Sequence, residues 1–205
     1  MFETGISILV GVGLAAACGF RVFLPLLVLS IAARVGHIPL AHDFEWVAST
    51  PALIALSTAT LAEIVAYYVP WLDHALDTVA TPTAILAGVV ATAAVAADLP
   101  PVLRWGVAVL AGGGLAGTVQ GATVLTRLKS GAMTAGLGNP VVSTLELGGS
   151  LITSILAVLV PLLAVSLVVA LLVWLFRRSR RFLFGRRQAA ANEPNESVDD
   201  FRNTQ

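Results

Sequence analysis

Leu147-Gly-Gly-Ser-Leu-Ile-Thr-Ser-Ile-Leu-Ala-Val-Leu-Val-Pro161-Leu-Leu-Ala-Val-Ser-Leu-Val-Val-Ala-Leu-Leu-Val-Trp174-Leu-Phe176 carries no charged side chain from end to end. A helix needs roughly 20 apolar residues to cross the hydrocarbon core of a bilayer, so this run decides the class: the chain spans a membrane. Two further runs, Ile6 to Ala33 and Val102 to Thr126, approach or exceed that length. The runs are continuous rather than alternating, which argues against a transmembrane β-barrel and for helices, whose backbone groups are satisfied within the segment. Composition agrees. The 205 residues are 57% hydrophobic and 12% charged, with mean hydropathy +0.88, far below the usual quarter of charged residues in a soluble domain.

Working outward, the pattern predicts an all-α polytopic transmembrane bundle of about five spans, near 6–32, 51–70, 82–98, 103–126 and 148–176. Residues 1–176 form the membrane domain, and 177–205 a basic juxtamembrane segment followed by a polar tail of disordered composition. All four tryptophans, Trp46, Trp71, Trp105 and Trp174, fall near span ends, as an interfacial aromatic belt requires. The last span is too long for an untilted crossing, and Pro161 near its middle predicts a kink or a break into two pieces.

The net charge is zero, but the cations are concentrated after the last span in Arg177, Arg178, Arg180, Arg181, Arg186 and Arg187. Juxtamembrane arginines fix topology and meet anionic lipid headgroups, which places the C-terminus in the cytoplasm and the protein in the cell membrane. The patch comes with no folded domain suited to nucleic acid, so no nucleic-acid partner is expected. With five spans, Arg127 and Lys129 would face outward against the positive-inside rule, unless they fold into the protein. The lone Cys18 offers no intramolecular disulfide. The first run has no clear small-residue cleavage site and reads as an uncleaved span.

Charge inside the runs is the functional signal, because a carboxylate at bilayer depth costs about 3 kcal/mol on insertion scales. Arg21 sits mid-span with nowhere to snorkel and requires a partner; Glu63 on the next span and Glu146 at the mouth of the last are the candidate counter-charges. Asp73 and Asp77, assigned to an external loop, are four residues apart and would share a face if helical. Clustered carboxylates suit a hard cation or a proton, although a metal ligand set is not defined, and His74 beside them is a weak zinc signal. Asn139-Pro140 suggests a helix start that could aim its dipole at an anion. The glycine-rich stretch 130–147 reads either as a broken or re-entrant element or as an external loop. Gly11 to Gly19 resembles Gly112 to Gly121, an echo that reflects either inverted repeats or close packing through small residues. Phosphate-binding, dinucleotide, hydrolase-elbow and zincin motifs are lacking, so neither a conventional enzyme nor a cofactor is expected.

The spacing Glu63-x6-Pro70-x2-Asp73-x3-Asp77, with Gly19-Phe20-Arg21 upstream and Gly138-Asn139-Pro140 downstream, resembles the DUF-4126 family of integral membrane proteins from about Gly5 to Phe176. Many members carry Asp-Lys where this chain has Tyr67-Tyr68, so a universal intramembrane Asp-Lys pair does not carry over. The resemblance implies a fold and no substrate. On the residues, the leading expectation is a small transporter or channel for an ion or small solute, in the bilayer and assembled as a homo-oligomer. A non-catalytic scaffold or partner subunit is the alternative. An intramembrane enzyme acting on lipid through Asp73 and Asp77 ranks third.

Overall fold

The computed structural model describes residues 2–134, 136–174 and 177, and the side chains among them other than those of residues 2 and 70–77. In order these form α1 (Phe2–Cys18), α2 (Phe23–Arg34), a 3-10 segment (His42–Ala48), α3 (Thr50–Ala66), α4 (Pro70–Val95), α5 (Pro101–Thr134, with a π-helical turn at Ala108–Gly113), α6 (Asn139–Leu159) and α7 (Pro161–Trp174). No strand occurs among the described residues. α5, α6 and the Thr78–Val95 part of α4 are each long and apolar enough to cross a membrane, and the 3-10 segment with α3 makes a fourth candidate, bent by 64°. The chain divides into compact units 1–168 and 169–205, and the site described below lies wholly in the first.

Prolines punctuate the bundle. Pro51, Pro70, Pro101 and Pro140 occupy the first positions of α3, α4, α5 and α6, where a missing N–H leaves nothing unsatisfied. Ser49 caps α3, its Oγ accepting from Ala52 N at 3.3 Å. Pro161 breaks the last run into α6 and α7, as its position predicts. Two boundaries differ from expectation. The second span stops at Ala66 instead of 70, and the stretch carrying Asp73 and Asp77, assigned above to an external loop, is the start of α4. Pro70 cannot donate to a continuing helix but can open a new one, which places the break before it.

The larger correction concerns the first run. Residues 6–32 are not one span but two helices joined at Gly19-Phe20-Arg21-Val22. Gly13 on α1 abuts Ala157 on α6, and Val35, just past α2, lines a groove with the adjacent Val158 and Leu159. The chain therefore enters the bundle along α1 and returns along α2, forming a hairpin with a buried tip. Non-helical backbone is tolerated at membrane depth only when protein covers it. α3 runs antiparallel to α2: Arg34 Nη1 donates to Thr50 Oγ1 at 3.0 Å near one end, and Glu63 reaches Val22 near the other.

The core is built from small residues. Ala15, Ala16, Ala17, Ala84, Ala91, Ala93 and Ala116 are fully buried, so helices associate by close backbone approach rather than by large apolar side chains. Gly11 and Gly112 both press on Thr92 of α4, so the two similar glycine runs meet at one helix. On α6, Ser143, Glu146, Ser150, Ser154 and Ala157 recur at helical spacing and are all buried, while Leu145, Ile152 and Leu159 face outward. Ser150 Oγ donates to Ala17 O at 3.1 Å. Polar residues inside and leucines outside invert the soluble pattern, because lipid rather than water is the solvent.

One glycine shows how tight this packing is. A Cβ on Gly88 would lie 2.6 Å from Ala116 Cβ and 2.8 Å from Gly112 O, both fixed to backbone. Gly88→Val is expected to destabilise the protein by about 1–3 kcal/mol through overpacking, read from chemical unfolding in mixed micelles. Wild-type stability in that variant would show that α4 and α5 can separate freely.

Candidate functional site: a buried charge network

The tip of the α1–α2 hairpin exposes backbone donors that its own helix cannot satisfy, since the first N–H groups of any helix lack intrahelical acceptors. Glu63, one turn before the end of α3, supplies them. Its Oε1 accepts from Val22 N at 2.8 Å and its Oε2 from Phe23 N at 3.1 Å. The carboxylate also faces the positive end of the α2 dipole. Glu63 is buried, and its charge is held by two amides rather than by an arginine.

Arg21 projects from the same tip and is 1% exposed. Its Nη2 donates to Ser143 O at 2.8 Å and to Ser143 Oγ at 2.9 Å on α6. Its Cζ stands 4.1 Å from the ring centroid of Tyr67, at the C-terminus of α3, within cation–π range. Arg127 Cζ lies 4.0 Å from the same ring. The Arg127 guanidinium grips Glu146 with two donors, Nε to Oε1 at 3.0 Å and Nη2 to Oε2. Such two-point pairs are among the strongest charge-assisted contacts.

Arg21 is left as the unusual group. A guanidinium carries five N–H donors; Nη2 is engaged, but Nε and Nη1 are buried without a hydrogen-bond partner. Glu146 and Glu63 attract Arg21 through space, yet neither carboxylate bonds to it among the described residues. A buried donor left unmade costs about 1–3 kcal/mol, and more when charged.

The expected residues are distributed unevenly about this centre. Arg21, Glu63 and Glu146 do converge, but the proposed pairing is corrected: Glu146 serves Arg127, Glu63 serves backbone amides, and Arg21 meets Ser143. Arg127 is no outward-facing loop cation. It lies inside α5, buried to 4% exposure, because the helix continues to Thr134. Asn139 is buried at the start of α6 beside a short turn at 136–138, where Gly136 adopts φ +87°; Pro140 follows it. Such a left-handed conformation favours glycine. The stretch 130–147 is thus mostly helix, with the chain reversing in a few residues. Asp73 and Asp77 sit four apart on α4 backbone, with side chains outside the described residues. Arg177 is exposed, and Arg178, Arg180, Arg181, Arg186 and Arg187 lie outside the described residues. No group of three or more metal-ligating side chains occurs among the described residues.

Sequence reasoning missed Tyr67, Arg127 and Ser143 as site residues. Arg127 was flagged by its clash with the charge rule. Ser143 could have been found from the serine stripe of α6, whereas Tyr67 stood out only as part of the departure from the family's Asp-Lys.

Fold and site define a polytopic α-helical membrane protein with a charged network in its core. The chain belongs to the DUF4126 family: the model of that family, a domain of unknown function, matches residues 8–181. Comparison with curated proteins and with solved structures returns no match.

Proposed function

We propose that this protein is a small, non-enzymatic transporter or channel for an ion or small solute, in the cell membrane with its C-terminus cytoplasmic. The observation that carries the reading is the convergence of four buried charges, Arg21, Glu63, Arg127 and Glu146, where α1–α2 and α3–α4 break. Intramembrane charge is expensive and marks ion or solute pathways. Broken helices with termini directed at a core site are the construction that transporters use. Lipid is the surrounding partner, the basic composition after Trp174 suits anionic headgroups, and assembly as a homo-oligomer is part of the proposal.

Flux from proteoliposomes tests the proposal, with H⁺, Na⁺, K⁺, Mg²⁺ and Cl⁻ screened against Glu63→Gln and Arg21→Ala. Flux above empty vesicles that falls at least tenfold in correctly folded variants is expected. Unchanged flux in both variants, or none in the wild type, overturns it.

A scaffold role is the second reading. It is favoured by the fact that Glu63 and Glu146 each satisfy a structural partner. It predicts that single neutralisations destabilise while the Arg127/Glu146 charge-swapped double recovers, with no flux at any stage.

A further inference from the structure

We infer that Arg21 forms a binding subsite for a small monovalent anion, a halide or the carboxylate of a small solute. The inference deepens the transport reading and rests on it for the anion's role, naming the class of substrate. The charges of the network are assigned one by one. Glu146 neutralises Arg127 through two donors. Glu63 is engaged by the amides of Val22 and Phe23. Arg21 alone has no carboxylate in contact among the described residues, and its Nε and Nη1 hold three unused N–H donors at 1% exposure.

Those donors are held in place. Two bonds to Ser143 and the ring of Tyr67 fix the guanidinium, so its free nitrogens are pre-positioned rather than mobile. Two guanidinium groups share that ring, and the second repels the first, which raises the attraction for negative charge. A cation would meet the opposite: both carboxylates have their oxygens engaged, and Arg21 stands beside them. A guanidinium can release its charge only at extreme pH, so the site stays cationic throughout the physiological range.

The test is thermal unfolding of purified protein in detergent, with sodium chloride or sodium acetate replacing sodium gluconate at constant sodium. Saturable stabilisation of the wild type by one or both small anions is expected, with Arg21→Gln insensitive. Chloride alone marks a halide site, and acetate alone a carboxylate site. Should Arg21→Gln fail to fold, Ser143→Ala, which loosens the guanidinium, is expected to raise the half-saturating concentration several-fold, and Ser166→Ala to leave it unchanged. No saturable response in the wild type, or equal responses in wild type and both site variants, overturns the inference. Binding without flux would sink the transport reading and leave the anion subsite standing. Flux of a cation by a protein indifferent to both anions would do the reverse.

Discussion

Glu146→Ala is expected to lower stability by about 3–5 kcal/mol, the usual consequence of breaking a buried ion pair from one side. The pair is 4% and 6% exposed, so water cannot replace the lost carboxylate. Arg127 would remain beside Tyr67 and within the field of Arg21, having lost both of its contacts to Glu146. The loss combines the two contacts with the buried charge that Glu146 offsets. Arg127→Met combined with Glu146→Leu is expected to recover part of it, since an apolar replacement of matched volume removes both desolvation penalties. Unfolding equilibria of the single and double variants in mixed micelles measure this. A single-variant loss below about 1 kcal/mol, the range of exposed pairs, would show that solvent reaches the site.

The second large effect follows from Glu63. Glu63→Ala leaves the Val22 and Phe23 amides without acceptors inside the bundle, at about 1–3 kcal/mol each, so a total near 2–6 kcal/mol is expected. Glu63→Gln keeps one acceptor oxygen and is expected to lose less. Amide hydrogen exchange separates this from a general loosening: Val22 and Phe23 should exchange faster in Glu63→Ala while residues in the middle of α5 stay protected. Uniform acceleration along the chain would show that Glu63 supports the whole bundle instead of the hairpin tip.

Both predictions concern residues whose importance was partly legible. Arg21, Glu63 and Glu146 were marked by the mismatch between a charge and its apolar surroundings, a signal that needs no structure. Their partners were not legible, because a guanidinium can be satisfied by a carbonyl and a hydroxyl as well as by a carboxylate, and Ser143 lies 122 positions from Arg21. Arg127 appeared only as a violation of the charge rule. For Arg127 the helix running on to Thr134 carries the side chain inward, whereas Lys129 stays exposed.

Sequence alone determined the membrane class, the helical fold, an interruption at Pro161 and the presence of charge inside the apolar runs. These are local matters: hydrophobic length, the missing proline N–H and the cost of a charge in hydrocarbon act through residues close together in the chain. Tertiary structure alone decided that 6–32 folds back as a hairpin, that Glu63 caps it from another helix, and that Arg127 rather than Arg21 takes Glu146. An apolar run of that length suits one straight span or two shorter helices equally well. The choice between them depends on whether a distant side chain can satisfy the backbone donors exposed at the break, and in this fold Glu63 does so.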